Sequence, residues 1–136
     1  MQNCSICQRL KNIQSDPSLI YEFKNSYLVL GDHQYFPGYS VILLKDHVRE
    51  LHELSPVVHS ELWQEVMQAG KAIHQAFKPW KMNYSCYGNA VEHVHWHIFP
   101  RYENDPDHRT HPWLRMDRFG QHVPNAALRT ERIALI

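Results

Sequence analysis

Residues 93–99 carry the strongest pattern in this chain and read His93-Val94-His95-Trp96-His97-Ile98-Phe99. Side chains alternate between the two faces of a β-strand, so an alternation of histidine and apolar residues predicts a strand with one apolar face. We predict this strand over Glu92 to Phe99, ended by Pro100, with its apolar side chains in the core. The three histidines then form one row on the opposite face, in a functional site or in solvent.

A row of three histidines suits either a metal site or a catalytic site. Residues on one face of a strand are ~6.6 Å apart, so His93 and His97 are expected to lie ~13 Å apart. Zinc ligands converge to ~2.0–2.1 Å from one ion, so a neighbouring pair could share a metal, whereas all three from one straight strand would be strained. The row fits an extended charged substrate better, because one neutral imidazole can attack phosphorus while its neighbours bind oxygen atoms.

The remaining sequence predicts the elements around this strand. The signals for these elements are turn residues, a helix start at Ser55-Pro56 and apolar residues at helical spacing up to Phe77. The predicted elements are a helix over Cys4 to Ile13, strands over Leu19 to Phe23, Ser26 to Leu30, Tyr39 to Leu44 and Lys81 to Tyr87, and a helix from Pro56 to before Pro79. We predict one α+β domain over residues 1–136, with a mainly antiparallel sheet of about five strands, one long helix and a short N-terminal helix. Residues 101–136 show little periodicity and are predicted to form an irregular C-terminal tail.

Composition narrows the class of function. The 136 residues include 14 Lys plus Arg and 14 Asp plus Glu, so the net charge is zero and an anionic ligand must be held locally. This balance argues against a general nucleic-acid binder. No apolar stretch approaches the ~18 residues of a membrane span, and the N-terminus lacks signal-peptide features, so we expect a cytoplasmic protein with no membrane contact. In a reducing compartment, the pair Cys4 and Cys7 is predicted to be metal-binding or redox-active.

The chain resembles the histidine-triad (HIT) family over nearly its whole length. The triad is followed by Pro100-Arg101, and residues 88–91 (Gly-Asn-Ala-Val) stand where the family usually has Gly-Gln-Ser/Thr-Val. Together with residues 4–7, 31–39 and 45–48, these motifs resemble bacterial HIT hydrolases of the diadenosine-polyphosphate type. The resemblance implies that His95 attacks an α-phosphorus, forming a nucleotidyl-histidine that water hydrolyses. It implies that His97 contacts phosphate oxygens and that His93 supports its neighbour or serves a metal.

The resemblance also implies substrate and metal residues. In this reading Asp32 binds the ribose, Asn89 and Asn83 lie near phosphates, and Trp113 stacks on a base in the site of a homodimer partner, although each residue also fits an ordinary structural role. The zinc-containing branch of the superfamily implies a zinc site with four ligands: Cys4, Cys7, His47 and His93. Two thiolates and two imidazoles leave no open position, so such a zinc is structural. A pair of idle thiols is the alternative, and a thioredoxin-like motif is disfavoured because no βαβ unit follows Cys7.

Two positions depart from the family pattern. Tyr39 stands where many members have histidine, and Ala90 stands where a hydroxyl residue is common. Val94 and His97 favour a hydrolase over the related uridylyltransferases, which usually carry proline and glutamine at these positions. We predict hydrolysis of dinucleoside polyphosphates such as diadenosine tetraphosphate by a homodimer. The alternatives are a nucleoside phosphoramidase, a nucleotidyl transferase, or a non-catalytic nucleotide- or metal-binding protein.

Overall fold

A computed structural model describes residues 3–136, and its centre is a five-stranded antiparallel sheet in the order β1-β2-β3-β5-β4. The strands are β1 Leu19–Glu22, β2 Ser26–Leu30, β3 Ser40–Leu44, β4 Lys81–Ser85 and β5 His95–Arg101. The helices are α1 Ser5–Leu10, α2 Pro56–Phe77 and α3 Ala126–Leu135, with 3-10 segments at Ile13–Ser15, Leu51–Glu53 and Pro112–His122. The predicted α+β fold with about five strands, one long helix and a short N-terminal helix is confirmed.

The long helix α2 forms as its sequence predicts. The side chain of Ser55 accepts a hydrogen bond from the backbone of Val58, Pro56 occupies the first turn, and the helix ends at Lys78 in the left-handed region with φ of 49°. Its buried residues, which include Leu62, Val66, Ala69 and Ile73, pack against the sheet. Across residues 3–136, no helix is both long enough and apolar enough to cross a membrane.

The two faces of the sheet have different coverings. Trp96 and Ile98 of β5 face the core under α2, as the alternation predicts. His95 and His97 face the other way, and their strand partners on β3 are Leu43 and Val41. Helix α1 lies over this second face, because Ile6 packs in a small core cluster with Leu43. The space between α1 and β5 is therefore where a ligand can reach the histidines.

The bounds of β5 differ from the prediction. The strand begins at His95, because the backbone N–H of His93 donates to Val91 and the chain turns there, so His93 leaves the ladder. Pro100 does not end the strand, which continues to Arg101. Beyond Ile98 only β4 pairs with β5, so the missing N–H of proline faces an unpaired side and costs no ladder bond.

The prediction of an irregular tail over residues 101–136 is wrong. The tail contains the 3-10 segment Pro112–His122 and helix α3, whose start is capped by the side chain of Asn125. Phe119 packs against Phe36 in a buried aromatic cluster, and the buried Arg101 donates to the backbone carbonyls of Asp107 and Thr110. These contacts order the segment, and the Asn125 cap and amphipathic pattern of α3 are local signals that the prediction missed.

Candidate active site and metal cluster

A cavity of about 300 Å³ lies between α1 and β5, over the side chains of β3. His95 and His97 form one wall, and Ser5, Ile6 and Arg9 of α1 form the opposite wall. The remaining lining residues are Leu30, Asp32, Tyr39, Val41, Leu43 and Val91. The cavity therefore combines an apolar floor with two imidazoles, one carboxylate and one guanidinium group.

The imidazole of His95 is held in one tautomer. Its Nδ1 lies 2.6 Å from the backbone carbonyl oxygen of His93. A carbonyl oxygen can only accept a hydrogen bond, so the proton of the neutral ring is on Nδ1 and the lone pair is on Nε2. The side chain is half-buried and lines the cavity. His95 thus has the electronic state that a nitrogen nucleophile requires.

His97 is the second histidine of the cavity wall. Its Nδ1 lies 2.6 Å from the hydroxyl oxygen of Tyr39. Burial, reinforced by repulsion from His95 and His33, lowers the pKa of His97 to about 4. The ring is therefore neutral at pH 7.

Four side chains near the N-terminus form a compact cluster. Cys4 caps α1, Cys7 lies in its first turns, His47 follows β3 and His93 precedes β5. Their four ligand atoms all lie within 4.8 Å of one another. Nδ1 of His93 is 3.5 Å from the sulfur of Cys4, 3.5 Å from that of Cys7 and 3.2 Å from Nδ1 of His47, which in turn is 3.2 Å from the sulfur of Cys7.

These separations match the edges of a metal-centred tetrahedron. With Zn–S of ~2.3 Å and Zn–N of ~2.0–2.1 Å, tetrahedral angles place the ligand atoms about 3.3 to 3.8 Å apart. Nε2 of His93 lies 2.7 Å from the carbonyl oxygen of Leu44, so it donates there and Nδ1 keeps its lone pair for the cluster. The residues present therefore fit a four-coordinate ion.

His93 joins the cluster to the cavity in a way that the predicted row of three histidines did not include. Its ring is fully buried beside the two cysteines, whereas its carbonyl accepts the hydrogen bond from His95. His93 lies before β5 and outside its ladder, yet its ring contacts Cys4, which packs with Leu43 on the face that carries His95 and His97. One residue orients the candidate nucleophile through its backbone and contacts the cysteines through its side chain.

The predicted substrate residues are found in different places. Asp32 lines the cavity with a side chain that is 90% exposed, and its Oδ1 is 3.8 Å from Nη1 of Arg9. Asn89 lines an adjoining cavity of about 750 Å³ on the side of the cysteine and histidine cluster. Asn83 does not line the histidine cavity, because its side-chain oxygen accepts from Arg101 at 2.9 Å. Asp32 and Asn89 are therefore the two predicted substrate residues that a ligand extending through both cavities would contact.

Trp113 packs against the triad of its own chain. Its ring centre is 4.9 Å from that of His97 in an edge-to-face arrangement, and it also contacts Phe99. The sequence-based expectation placed this ring in the site of a partner chain. Within the chain the tryptophan packs on His97 and does not line the histidine cavity.

Two residues of the cavity wall were missed as site residues by the sequence analysis. Arg9 follows Ser5 by four positions, a helical spacing that places both on one face of α1, and its Nε donates to Asp16 at 2.6 Å. Tyr39 appeared only as a departure from the family pattern, yet its hydroxyl contacts the triad. The spacing could have indicated Arg9, whereas the contact of Tyr39 crosses between two strands and has no local signal.

His33 is a buried histidine whose effect on the pH dependence of stability can be measured. Its ring is 9% exposed and stacks between Tyr39 at 4.6 Å and Phe119 at 3.9 Å, and within residues 3–136 its Nδ1 has no hydrogen-bond partner. Burial lowers its pKa to about 4. The unfolded chain, with an ordinary histidine pKa of ~6.5, then binds more protons between these values, so acidification from pH 6.5 to 4 destabilises the fold.

We therefore expect His33→Phe to reduce the loss of unfolding free energy between pH 7 and pH 4.5 by about 2 kcal/mol. The contribution of His97 to that loss remains in the variant. Urea unfolding at the two pH values measures the effect. His59→Phe, at an exposed position of α2, serves as the matched control and keeps the pH dependence of the parent protein. An unchanged dependence in the His33 variant would show that this histidine is not held neutral.

Comparison with known proteins relates this fold and site to one family. Residues 12–104 match the family model of the HIT domain. The protein named "Protein hit" of Bacillus subtilis (strain 168) is 29% identical over 108 residues, which are 74% of this chain and 72% of the relative.

Solved structures agree in fold. A HIT-like protein from Bartonella henselae superposes with a TM-score of 0.77 at 17% identity, over 99% of this chain and 94% of that protein. A histidine triad protein from Marinobacter aquaeolei does so with a TM-score of 0.78 at 20% identity, over 97% and 92%. Because the family model matches well over half of the sequence and the fold agrees, this chain belongs to the HIT domain family.

Proposed function

We propose that this protein hydrolyses dinucleoside polyphosphates such as diadenosine tetraphosphate at the α-phosphate, through a nucleotidyl-histidine on His95. Proteins of the HIT family generally bind nucleotides and act as hydrolases or transferases. The observation that carries the proposal is the 2.6 Å hydrogen bond between Nδ1 of His95 and the carbonyl of His93, because it leaves a lone pair on Nε2 at the cavity wall. That nitrogen is the nucleophile of the proposed reaction.

The reaction proceeds in two displacements. The lone pair of His95 Nε2 forms a bond to the α-phosphorus, and the bond from phosphorus to the bridging oxygen breaks, its electron pair leaving with the nucleoside polyphosphate. Water then attacks the same phosphorus, the N–P bond returns its pair to Nε2, and a nucleoside monophosphate is released with a proton passing to solvent. Splitting the hydrolysis in this way replaces one difficult displacement by two easier ones.

The neighbouring residues have supporting roles in this proposal. The carboxylate of Asp32 accepts hydrogen bonds from ribose hydroxyls at the end of the cavity, and Asn89 meets the phosphates beyond His95. His97 contacts the phosphoryl oxygens. Trp113 supports the site by packing on the ring of His97, and Asn83 supports it by accepting a hydrogen bond from Arg101.

We also propose that Cys4, Cys7, His47 and His93 hold one zinc ion. Their ligand atoms have tetrahedral separations, and the set of two thiolates and two imidazoles leaves no position for water or substrate. A zinc ion bound there supplies structural cross-linking and no catalysis. The four residues join α1 to the turn before β5, so they stabilise both walls of the cavity.

A nucleoside phosphoramidase is the second candidate, because the adjoining cavity has a balanced charge. Arg49 at its edge lies 3.5 Å from Glu92 and 3.7 Å from Glu50, so its charge is already compensated. A leaving polyphosphate chain favours uncompensated cations, whereas an amine leaving group does not require them. The same His95 nucleophile would cleave the P–N bond of such a substrate.

Parallel incubation with two substrates tests these assignments. The purified protein is given diadenosine tetraphosphate or adenosine 5′-phosphoramidate, and AMP is followed by chromatography against a buffer-only control. AMP together with ATP from the first substrate supports the proposal, and AMP from the second alone makes the protein a phosphoramidase. Nucleotide binding without AMP from either substrate would contradict an enzyme and favour a binding protein, and an adenylylated acceptor in place of AMP would indicate a transferase.

We propose that the protein acts as a homodimer in the cytoplasm. Strand β4 is an edge of the sheet, and Trp63, Met67 and Tyr84 are partly exposed large apolar side chains on α2 and β4. Such a surface beside an unpaired strand favours joining two sheets edge to edge. None of the three cysteines forms a disulfide bond, as expected in a reducing compartment. A monomeric mass in light scattering would contradict the dimer.

A further inference from the structure

We propose that the hydroxyl group of Tyr39 is a positioning group that sets the tautomer of His97, so that this neutral imidazole presents an N–H donor to the substrate. The use of that donor rests on the proposed function. The tautomer itself does not, because it follows from contacts inside the protein. The inference concerns a residue that stands where many family members have histidine.

The phenol ring of Tyr39 is held firmly in place. The side chain is 5% exposed and stacks in parallel on Phe99, with ring centres 4.4 Å apart. A Cβ atom at Gly31 would lie 2.1 Å from this ring, so glycine there leaves the space that the ring occupies. The hydroxyl oxygen consequently has a defined position, 2.6 Å from Nδ1 of His97.

The direction of this hydrogen bond follows from the other partners of the two groups. Within residues 3–136, the structure gives the Tyr39 hydroxyl no hydrogen-bond partner other than His97. If Nδ1 of His97 donated, the hydroxyl hydrogen would be buried without an acceptor, which is unfavourable. If the hydroxyl donates, both atoms are satisfied. Burial also raises the pKa of Tyr39, so the hydroxyl keeps its proton.

Donation by Tyr39 places the lone pair of His97 on Nδ1 and its proton on Nε2. Because burial keeps the ring neutral at pH 7, the Nε2–H is a donor that needs no positive charge. The rings of His95 and His97 have centres 5.0 Å apart and are in opposite tautomers, since His95 carries its proton on Nδ1. One imidazole thus offers a lone pair at the cavity wall and its neighbour offers a hydrogen-bond donor for a phosphoryl oxygen.

Tyr39→Phe tests the proposal, because it keeps the stacked ring and removes only the hydroxyl group. Tyr102→Phe is the matched control: the Tyr102 hydroxyl donates to the carbonyl of Pro37, burial raises its pKa to about 12, and its ring lies outside the histidine cavity. Long-range ¹H–¹⁵N NMR spectra of protein with ¹⁵N-labelled histidine report which ring nitrogen of His97 carries the proton.

In the parent protein at pH 7 we expect His97 to show a protonated Nε2 and an unprotonated Nδ1. In Tyr39→Phe we expect a mixture of tautomers and a kcat for AMP release that falls in proportion to the fraction of His97 still protonated on Nε2, about 2-fold for an equal mixture, with little change in KM. Tyr102→Phe should keep both the spectrum and the rate. A side chain with only a packing role would leave the tautomer unchanged when the ring is kept.

Two results would overturn the inference. One is a parent protein whose His97 is protonated on Nδ1, which the spectrum shows without any variant. The other is Tyr39→Phe with the spectrum and kcat of the parent protein. If the parent protein releases no AMP but the spectrum shows the expected tautomers, the proposed function fails and the role of Tyr39 in setting the tautomer stands.

Discussion

The His95→Asn variant is expected to release AMP at least about a thousandfold more slowly than the parent protein, because the amide nitrogen of asparagine has no basic lone pair with which to attack phosphorus. The side chain remains polar and small enough for the cavity, and the other wall residues are unchanged, so the dissociation constant for AMP should change little. Single-turnover rates measured by chromatography and binding measured by calorimetry separate these two effects.

The covalent intermediate gives a second readout for the same variant. When the reaction of the parent protein is quenched at alkaline pH, mass spectrometry should find one adenylyl group on the peptide that contains His95, and none in the variant. His59→Asn, at an exposed position of α2, is the matched control and should keep the full rate. Turnover retained in His95→Asn would show that another group is the nucleophile.

The Cys4→Ser variant is expected to lose zinc and much of its stability. The sulfur of Cys4 is one of four candidate ligands, and a structural zinc site with three ligands binds far more weakly. At free zinc a thousandfold above its dissociation constant, the bound ion stabilises the folded state by about 4 kcal/mol. For a chain of this size, the midpoint of thermal unfolding should fall by roughly 15 °C.

Metal analysis and calorimetry measure both consequences. The parent protein should contain about one zinc per chain, and a chelator should lower its unfolding temperature but not that of Cys4→Ser. Cys86→Ser is the matched control, since Cys86 packs beside the main core away from the cluster and its loss should leave the zinc content unchanged. A Cys4→Ser protein with the zinc content of the parent would contradict the assigned ligand set.

Loss of the metal should also slow AMP release. The ring of His93 is held by the cluster and by Leu44, and its carbonyl holds the proton of His95 in place. Movement of His93 after metal loss therefore disturbs the tautomer of the proposed nucleophile. In this protein the structural cluster and the candidate nucleophile are coupled through one residue.

The alternation of residues 94–98 was sufficient to predict that Trp96 and Ile98 face the core and that His95 and His97 face the opposite side. This succeeds because the period of a strand is two residues and depends only on the backbone. The same reasoning did not predict that His93 leaves the strand at a turn and contacts Cys4 and Cys7, nearly ninety positions away in the chain.

The C-terminal segment shows the same limit. Arg101 and Phe119 order this segment through buried contacts, whereas α3 also carries local signals, an Asn125 cap and an amphipathic pattern. Hydrophobic patterning does not report the carbonyl contacts of Arg101 or the contact between the rings of Phe119 and Phe36, and the local signals of α3 were missed. The segment was therefore predicted to be irregular, although α3 and the 3-10 segment Pro112–His122 are present.

Local patterns in the chain are enough to establish the antiparallel α+β fold, the long helix, the strand that carries His95 and His97, and the family, because periodicity, caps and motif order are properties of neighbouring residues. Packing across the sheet establishes which atoms meet: the carbonyl that orients His95, the hydroxyl of Tyr39 on His97, and the four ligand atoms of the cluster. The protonation state of each imidazole depends on these long-range partners, and so the chemistry of the site depends on the folded protein.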